Sequence, residues 1–380
     1  MAKQTLKVVI KIGSSSLEDE QGYINYNIIN RMMKTFSLLQ KKDIDLVLVT
    51  SGAIALGMNE LHLSSKPKDM SLKQACAALG QAKLMEVYNE FAAKYDLLLG
   101  QILLSHDDFE KRKRMLYLQN TLKAMFENNI IPVINENDAL AVEEIKVGDN
   151  DTLASLICPM INADLLILFS DIDGLYTKNP KIYDDATLIK VVNKIDDSIY
   201  EEASSSTSKV GTGGMETKIN AALIATSCGS DMIICNAKEI SSLEEIIFKK
   251  NIGTLFTKQT SVIPSKEHWL IFKTKGKGSI VVDEGVEEEL KKDTKISILP
   301  KGILSVQGEF LKDDIICVVS KEGELLAKGK SSMSSFEINF VKGLPSSKIK
   351  EIMPYPIKKE AVHASNLVVI KEKIYGRIIK

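Results

Sequence analysis

The sequence predicts an α/β fold, in which a three-layer, mostly parallel sheet covered by helices is followed by a small β-barrel-like domain. Short runs of Val, Ile and Leu alternate with longer amphipathic stretches through the first two-thirds of the chain, as strands and helices do around a parallel sheet. Beyond Lys258 the strand-like runs are short and closely spaced, with turn signals between them, which is typical of a small barrel.

The first two-thirds of the chain contain six runs with the length and β-branched content of buried strands. They are Leu6–Ile12, Asp45–Thr50, Leu97–Leu104, Ile131–Asn135, Leu165–Ser170 and Met232–Asn236. Helical spacing is found in Asn27–Gln40, Leu72–Tyr95, Met115–Asn128, Thr152–Ile161 and Met215–Ser227. A last strand-like run, Gly253–Thr257, ends this part. Ligands of such sheets bind at the carboxyl ends of the strands, so the residues directly after each strand are the site candidates.

The last third of the chain differs in both pattern and charge. Its five strand-like runs are Trp269–Phe272, Ser279–Val282, Ile296–Leu299, Ile315–Val319 and Leu325–Lys328, and we expect two short helices besides. Residues 258–380 carry 22 basic and 16 acidic side chains, a net charge of +6, against −7 for the first 257 residues. We therefore predict a first domain over residues 1–260, a linker over 261–275 and a second domain over 276–380.

Composition excludes several classes of protein. With 380 residues, 44% hydrophobic, 26% charged and a net charge of −1, the chain resembles an ordinary globular protein and lacks the basic excess of a nucleic-acid or membrane-surface binder. Its five cysteines form no C-x-x-C pair, and none of the four histidines lies near them, so zinc-ligand spacing is absent. No apolar run approaches the length of a membrane helix. We expect a cytoplasmic protein.

The first two strands both end in small residues and a glycine. Lys11 lies inside an apolar strand and is followed by Gly13, and the second strand leads into Ser51-Gly52. A lysine in such a strand is costly to bury unless an anion lies nearby. Taken singly, Lys11 can also be a strand-end lysine that reaches water, and Ser51-Gly52 an ordinary tight turn. The repetition favours an edge that cradles a ligand.

Two polar clusters follow, at Asn135–Asp138 and Gly148–Asp151. Such clusters are commonly turns and helix caps. Neither Asp149-x-Asp151 nor Asp171-x-Asp173-Gly174 has the glutamate that a calcium loop needs at its twelfth position. Magnesium needs only one or two carboxylates, so these clusters suit a small polar ligand and Mg²⁺.

A glycine cluster, Gly211-Thr212-Gly213-Gly214, leads into a predicted helix with Lys218 one turn inside it. Helix N-termini favour phosphate, although glycine loops are often only turns. Glu216 occupies the third glycine position of a dinucleotide fingerprint, and Lys218 lacks the Gly-Lys-Ser/Thr arrangement of a P-loop. The lysine therefore favours a phosphate site of another type.

These motifs in this order resemble the amino-acid kinase superfamily and, more narrowly, the glutamate 5-kinase family. The matching stretches are VVIKIGSSSL, VTSGAIALG, AALGQAKLMEVY, IPVINENDA, EIKVGDND, DIDGLYT and GTGGMETK. The tail resembles a PUA domain through SIVVDEG, LPKGILSVQGEF and EAVHASNLVV. One departure is Ser170, where the family pattern has threonine. The resemblance implies the amino-acid kinase fold and ATP-dependent phosphorylation of the glutamate side-chain carboxylate, the first step of proline biosynthesis.

The resemblance also implies roles for individual residues. Lys11 and Lys218 act catalytically on the transferring phosphoryl group, and Asp151 organises these lysines and Mg²⁺. Ser51, Asp138 and Asn150 bind glutamate. The residues that contact ATP are Lys11, Ser170, Asp171, Thr212, Gly213, Gly214, Met215, Glu216, Thr217 and Lys218. Proline is implied as a feedback inhibitor, and we expect a homo-oligomer.

Two alternatives remain at this point. A sister kinase acting on acetylglutamate, aspartate, carbamate or UMP is disfavoured by the C-terminal PUA-like tail. PUA modules elsewhere bind RNA, which makes an RNA-binding protein the second alternative. The tail carries the acidic run Glu287-Glu288-Glu289 and no basic–aromatic interleaving, so RNA is not the expected partner.

Overall fold

The computed structural model describes residues 5–19, 22–105, 108–109, 111–140, 150–180, 182–205, 214–260, 262–272, 276–292, 296–352, 358–370 and 375. The chain divides into two compact units, residues 1–263 and 264–380. No helix in the described ranges combines the length and the hydropathy needed to cross a membrane.

The first unit contains an eight-stranded sheet. Its strands are β1 (Leu6–Ile12), β2 (Ile44–Val49), β3 (Leu98–Leu104), β4 (Ile130–Glu136), β5 (Leu165–Ser170), β6 (Val191–Val192), β7 (Asp231–Asn236) and β8 (Thr254–Phe256). Their order is β3-β4-β2-β1-β5-β7-β8-β6. Only the β7–β8 pair is antiparallel among these, so β1 to β5 and β7 end at one edge of the sheet. The predicted mostly parallel sheet is confirmed.

Nine helices of the described chain belong to this unit. They are α1 (Ser14–Leu17), α2 (Tyr26–Gln40), α3 (Ala53–Glu60), α4 (Met70–Ala93), α5 (Arg112–Glu127), α6 (Asn150–Ile161), α7 (Asp197–Ser205), α8 (Met215–Ser227) and α9 (Leu243–Lys249). A 3-10 helix spans Ala237–Ser242. Five of them match predicted helices within three residues at each end.

Both faces of the sheet are buried, which explains the apolar strands. On β1, Val8 and Ile10 join a core with residues of α2, α4 and α9. Val9 and Lys11 alternate with them and so point to the other face, where α6 contacts β1 and α8 contacts β7. The helices therefore form layers on both sides of the sheet, and the predicted three-layer arrangement is confirmed.

Helix α3, which the sequence did not predict, packs closely on α4. A Cβ atom at Gly80 would lie 1.8 Å from the carbonyl oxygen of Ala53, and one at Gly57 would lie 1.8 Å from that of Cys76. Glycine is therefore required at both positions. This close packing supports the turn at Ser51, which immediately precedes α3.

The second unit contains a five-stranded sheet. Its strands are β9 (Ser279–Val282), β10 (Ile303–Gln307), β11 (Ile315–Val319), β12 (Leu325–Ser331) and β13 (Val362–Val369), in the order β10-β9-β11-β12-β13. Its helices are α10 (Ser265–Phe272), α11 (Glu284–Lys291), α12 (Ser335–Val341) and α13 (Ser346–Ile352), with a 3-10 turn at Pro300–Gly302. A bridge from Ile298, just before β10, to Val362 in β13 joins the two ends of the sheet, as a small barrel requires.

Two strand predictions in the second unit are wrong. Trp269–Phe272 belongs to helix α10, where the rings of His268 and Phe272 lie 4.7 Å apart in a tilted arrangement and Phe272 meets Tyr375 edge-on. Tertiary packing therefore overrides the strand propensity of this run. The Ile296–Leu299 run makes only the Ile298 bridge. The sequence also did not predict β6, β10 or β13.

Candidate active site

Three charged side chains meet at the carboxyl edge of β1. Lys11 Nζ lies 2.6 Å from Asp151 Oδ1, and Lys218 Nζ lies 2.8 Å from Asp151 Oδ2. The Asp151 side chain is 1% exposed, and the two lysine side chains are 11% and 10% exposed. Asp151 is thus the anion that a lysine inside an apolar strand requires, and one carboxylate holds two ammonium groups.

The electrostatics of this cluster, defined as Lys11, Asp151 and Lys218, favour a bound anion. Burial alone raises the pKa of Asp151, but the two neighbouring ammonium groups outweigh it and hold its pKa below the usual value. The carboxylate is therefore ionised at neutral pH, and the three groups together carry one net positive charge. A partly buried net positive charge attracts a phosphate or carboxylate strongly.

Two helices add to the positive electrostatic potential at this cluster, because both helices begin there. Asp151 lies in the first turn of α6, and Lys218 lies in the first turn of α8 after its N-cap residue Gly214. Helix N-termini carry partial positive charge and unpaired N–H groups. A Cβ atom at Gly13 would lie 3.5 Å from Lys11 Nζ, which is ordinary van der Waals contact.

Asn150 connects the end of β2 with the end of β4. Its amide nitrogen donates to the carbonyl of Thr50 at 2.8 Å, to Ser51 Oγ at 2.7 Å and to Asn135 Oδ1 at 3.0 Å. The structure therefore brings together the predicted glutamate-binding residues Ser51 and Asn150. Asp138 lines a cavity of about 300 Å³ at the carboxyl ends of β3 and β4.

The predicted ATP-binding residues lie partly on the other side of β1. Ser170 ends β5 and donates from Oγ to Asp171 Oδ1 at 3.1 Å. Beside it, Asn236 at the end of β7 donates to Asp173 Oδ1 at 2.9 Å. In α8, Met215 is buried, Glu216 lies in the first turn and Thr217 Oγ donates to the Gly214 carbonyl. Thr212 and Gly213 lie outside the described residues.

Strand order separates the two predicted groups of ligand-binding residues. Asp138 follows β4 and Ser51 follows β2, on one side of β1, whereas Ser170 ends β5 on the other side. Lys11, at the end of β1, lies between them. The edge of the sheet therefore presents two regions with the lysine–aspartate cluster in the middle.

The described residues at this edge of the sheet offer few ligands for a protein-bound metal ion. Both oxygens of Asp151 already form ion pairs with lysine ammonium groups. In the described ranges, no three His, Cys, Asp or Glu side chains are grouped as metal ligands. The described residues at this edge therefore do not form a metal cage by themselves, and Asp151 pairs with the two lysines. A magnesium ion here would need phosphate oxygens and water as its main ligands.

Of two buried amides in this region, Asn135 belongs to a polar cluster noted in the sequence, whereas Gln81 was missed. Asn135, 1% exposed, donates from Nδ2 to Gln81 Oε1 at 2.8 Å, and Gln81 is 7% exposed. Gln81 lies on α4 in the AALGQAKL stretch, where a single polar residue in a run of small ones was the available signal. A polar residue is seldom buried without a partner, so a glutamine on a buried helix face indicates a hydrogen bond, but the sequence alone does not show that this face is buried.

Comparison with known families gives two matches along the chain. The profile of the amino acid kinase family matches residues 7–236, and that of the PUA domain matches residues 278–353. The first match covers more than half of the chain and contains every candidate site residue named above.

Curated relatives match over nearly the whole chain. A glutamate 5-kinase of Caldanaerobacter subterraneus subsp. tengcongensis is 42% identical over 366 residues, which are 96% of this chain and 98% of that protein. A glutamate 5-kinase of Carboxydothermus hydrogenoformans is 41% identical over 369 residues, or 97% and 98%. Among solved structures, carbamate kinase from Giardia lamblia bound to AMP-PNP aligns with a TM-score of 0.50 at 13% identity, covering 67% of this chain and 99% of that one. That likeness concerns the fold alone.

Proposed function

The chain belongs to the amino acid kinase family and, over nearly its full length, to the glutamate 5-kinases, and on that basis we propose that it phosphorylates the side-chain carboxylate of L-glutamate with ATP. A carboxylate oxygen of glutamate attacks the terminal phosphorus of ATP. The bond from that phosphorus to the β,γ-bridging oxygen breaks, and ADP leaves with the electron pair. The product is L-glutamyl 5-phosphate, the first intermediate of proline biosynthesis.

The contact of Asp151 with both Lys11 and Lys218 is the observation that carries this proposal. A glutamate side chain has a reference pKa of about 4.3 and is already ionised at neutral pH, so the nucleophile needs no general base. The difficulty lies in bringing an anion up to another anion. Preorganised cations and helix N–H groups are what lowers such a barrier.

Each member of the cluster has a distinct role in the proposal. Lys11 and Lys218 neutralise charge on the transferring phosphoryl group. Asp151 keeps both ammonium groups at the reacting centre, where they would otherwise repel each other. Because Asp151 is buried and its pKa is lowered, it holds this arrangement throughout the neutral pH range.

The two substrates occupy opposite sides of β1. Ser51, Asp138 and Asn150 bind glutamate on the β2–β4 side. Ser170, Asp171 and the segment from Thr212 to Lys218 bind ATP on the β5–β7 side. Magnesium accompanies ATP as a counterion of its phosphates, where it shields their negative charge. This division follows the strand order of the sheet.

The proposal also includes the regulation of the enzyme by proline and its assembly into an oligomer. Because proline is the end product of the pathway, we expect it to inhibit the enzyme and to compete with glutamate for the β2–β4 side. We also expect a homo-oligomer. Inhibition that persists unchanged at saturating glutamate would place proline at a separate site.

The test is a trapping assay on the purified chain. ATP, Mg²⁺ and hydroxylamine are incubated with L-glutamate, L-aspartate, N-acetylglutamate, carbamate or UMP. An acyl phosphate reacts with hydroxylamine to give a coloured hydroxamate, and ADP release is measured in parallel for carbamate and UMP. We expect hydroxamate with L-glutamate and little turnover with the others. Greater turnover of any other compound would exclude the proposed substrate.

A further inference from the structure

Three side-chain amides form a hydrogen-bonded chain beside the proposed glutamate site. Asn150 donates to Asn135 Oδ1 at 3.0 Å, and Asn135 Nδ2 donates to Gln81 Oε1 at 2.8 Å. Asn135 and Gln81 are 1% and 7% exposed. We call these three residues the amide chain. It runs from the first turn of α6, past the end of β4, to the middle of α4.

Backbone groups fix the direction of every amide in the chain. The carbonyl oxygen of Thr50 can only accept, so the atom of Asn150 that lies 2.8 Å from it is the nitrogen. The N–H of Glu136 can only donate, so the atom of Asn135 that lies 2.9 Å from it is the oxygen. The nitrogen of Asn135 then faces Gln81, which must present its oxygen.

With the amides oriented in this way, one hydrogen-bond acceptor of the amide chain remains without a partner among the described residues. The amide nitrogen of Asn150 donates hydrogen bonds to Thr50, Ser51 and Asn135. Its amide oxygen is buried and has no hydrogen-bond partner within the described ranges. A buried polar atom without a partner is costly, and in a binding site it indicates a ligand group of matching type. The matching group is a donor. On an α-amino acid the strong donor is the α-ammonium.

We propose that the amide chain makes the enzyme selective for a free α-ammonium group, with Asn135 and Gln81 acting as positioning residues for the carbonyl oxygen of Asn150. This inference rests on the proposed function, since it takes glutamate as the substrate. Asp138 lines the same cavity as Gln81 and adds a negative charge on this side. The free oxygen of Asn150 and the charge of Asp138 both favour a cationic α-ammonium group on the bound amino acid.

Gln81 matters because its side-chain oxygen accepts the hydrogen bond that the nitrogen of Asn135 donates. With that acceptor removed, the nitrogen of Asn135 is buried without a partner, which is costly. The Asn135 side chain is then held less firmly, and because its Oδ1 accepts from the nitrogen of Asn150, the Asn150 side chain is held less firmly as well. The oxygen of Asn150 is then less well positioned for the substrate. The loss concerns the α-ammonium and leaves the phosphoryl-transfer cluster intact.

The experiment compares Gln81→Met, which removes the acceptor at similar volume, with Gln81→Glu, which keeps an oxygen facing Asn135. Gln101→Met is the matched control, because Gln101 lines the same cavity but is exposed. The KM for glutamate, the KM for ATP and kcat are measured for each variant. Glutarate, which is glutamate without its α-amino group, is measured as a competitive inhibitor.

For Gln81→Met we expect the glutamate KM to rise about tenfold, while kcat, the ATP KM and the glutarate Ki stay within about threefold of wild type. Gln81→Glu should recover most of the glutamate KM, and Gln101→Met should match wild type. Three outcomes would overturn the inference: an equal rise of the glutamate KM and the glutarate Ki in Gln81→Met, an unchanged glutamate KM in that variant, or no recovery of the glutamate KM in Gln81→Glu. A wild-type protein without glutamate-dependent turnover would instead overturn the proposed function.

Discussion

Lys218 Nζ lies 2.8 Å from Asp151 Oδ2, although the two residues are 67 positions apart in the sequence. Each lies in the first turn of its own helix, α8 or α6. The contact therefore joins two helix N-termini at one point, and Lys11 completes it from β1 at 2.6 Å. Three separate segments thus converge where two anionic substrates would have to meet.

Removal of either lysine should impair the chemical step. We expect Lys11→Ala and Lys218→Ala each to lower kcat by roughly 10²–10³, the scale for one preorganised transition-state contact, with a smaller effect on the glutamate KM. Lys7→Ala is the matched control, because Lys7 lies on the same strand but contacts the carbonyl of Ile161 instead. Steady-state kinetics with ATP and glutamate make the comparison. Near-normal kcat in both site variants would remove these lysines from the mechanism.

Residues on the β2–β4 side should affect glutamate more than ATP. Ser51→Ala and Asn150→Ala each break the 2.7 Å hydrogen bond between their side chains. We expect both to raise the glutamate KM more than the ATP KM, because they act on ground-state binding of the amino acid. Ser170→Ala makes the same chemical change on the β5 side and should show the opposite preference. If all three raise the same KM, the two-sided arrangement is incorrect.

The boundary between the units predicts a functional fragment. Residues 259–263 still belong to the first unit, because Gln259 N–H donates to Thr226 O and Ile263 N–H to Ser227 O. We expect residues 1–263 to unfold cooperatively and to retain glutamate-dependent hydroxamate formation. A fragment of residues 1–258 lacks these two bonds and should unfold at a lower temperature. A well-folded but inactive 1–263 fragment would show that the second unit contributes to catalysis.

Lys328 in β12 gives the second unit a pH-dependent stability. Burial lowers the pKa of Lys328 from 10.5 to about 8, and its ammonium donates to the Ile271 carbonyl at 3.1 Å. Below pH 8 the lysine is charged in both the folded and the unfolded state, so the folded state carries the full cost of burying the charge. Between pH 8 and 10.5 the folded state binds fewer protons, so wild-type stability rises with pH.

The variant Lys328→Met should lack this rise. A pKa difference of this size corresponds to about 3 kcal/mol, from which the lost hydrogen bond subtracts about 1 kcal/mol. We therefore expect the variant to be more stable than wild type by about 2 kcal/mol at pH 7, with the advantage disappearing by about pH 10. Trp269, the single tryptophan, lies in the second unit, so its fluorescence during urea unfolding reports this unit. If the free energies of unfolding of the wild type and of Lys328→Met change in parallel with pH, the expectation is contradicted.

Local patterns predicted most of the first unit correctly. The strands Leu6–Ile12 and Leu165–Ser170 were predicted to the residue, because buried parallel strands are apolar throughout. Strand β13 was missed since Val362–Val369 contains His363, Ser365 and Asn366 and does not look like a strand. Its pairing with β12 is a tertiary effect that no local pattern reports.

The site was predictable where charge stood out against an apolar background. Lys11 in β1 indicated a buried anion, and Asp151 lies there. Gln81 was not predictable in the same way, because an isolated glutamine on a helix reads as a surface residue. Its role depends on the direction of hydrogen bonds to Asn135 and Glu136, which only the folded backbone defines.

The proposed attack of the glutamate side chain on ATP is tested by following an oxygen atom of the substrate. Glutamate labelled with ¹⁸O in its side-chain carboxylate is incubated with ATP, Mg²⁺, hydroxylamine and the full chain. Attack of carboxylate oxygen on phosphorus places labelled oxygen in the bridge of the acyl phosphate, and hydroxylamine then attacks the carbonyl carbon and expels phosphate with that oxygen. Mass spectrometry should find one ¹⁸O per phosphate released, in proportion to the ADP formed. ADP formation with unlabelled phosphate would show ATP hydrolysis by water and would contradict the account.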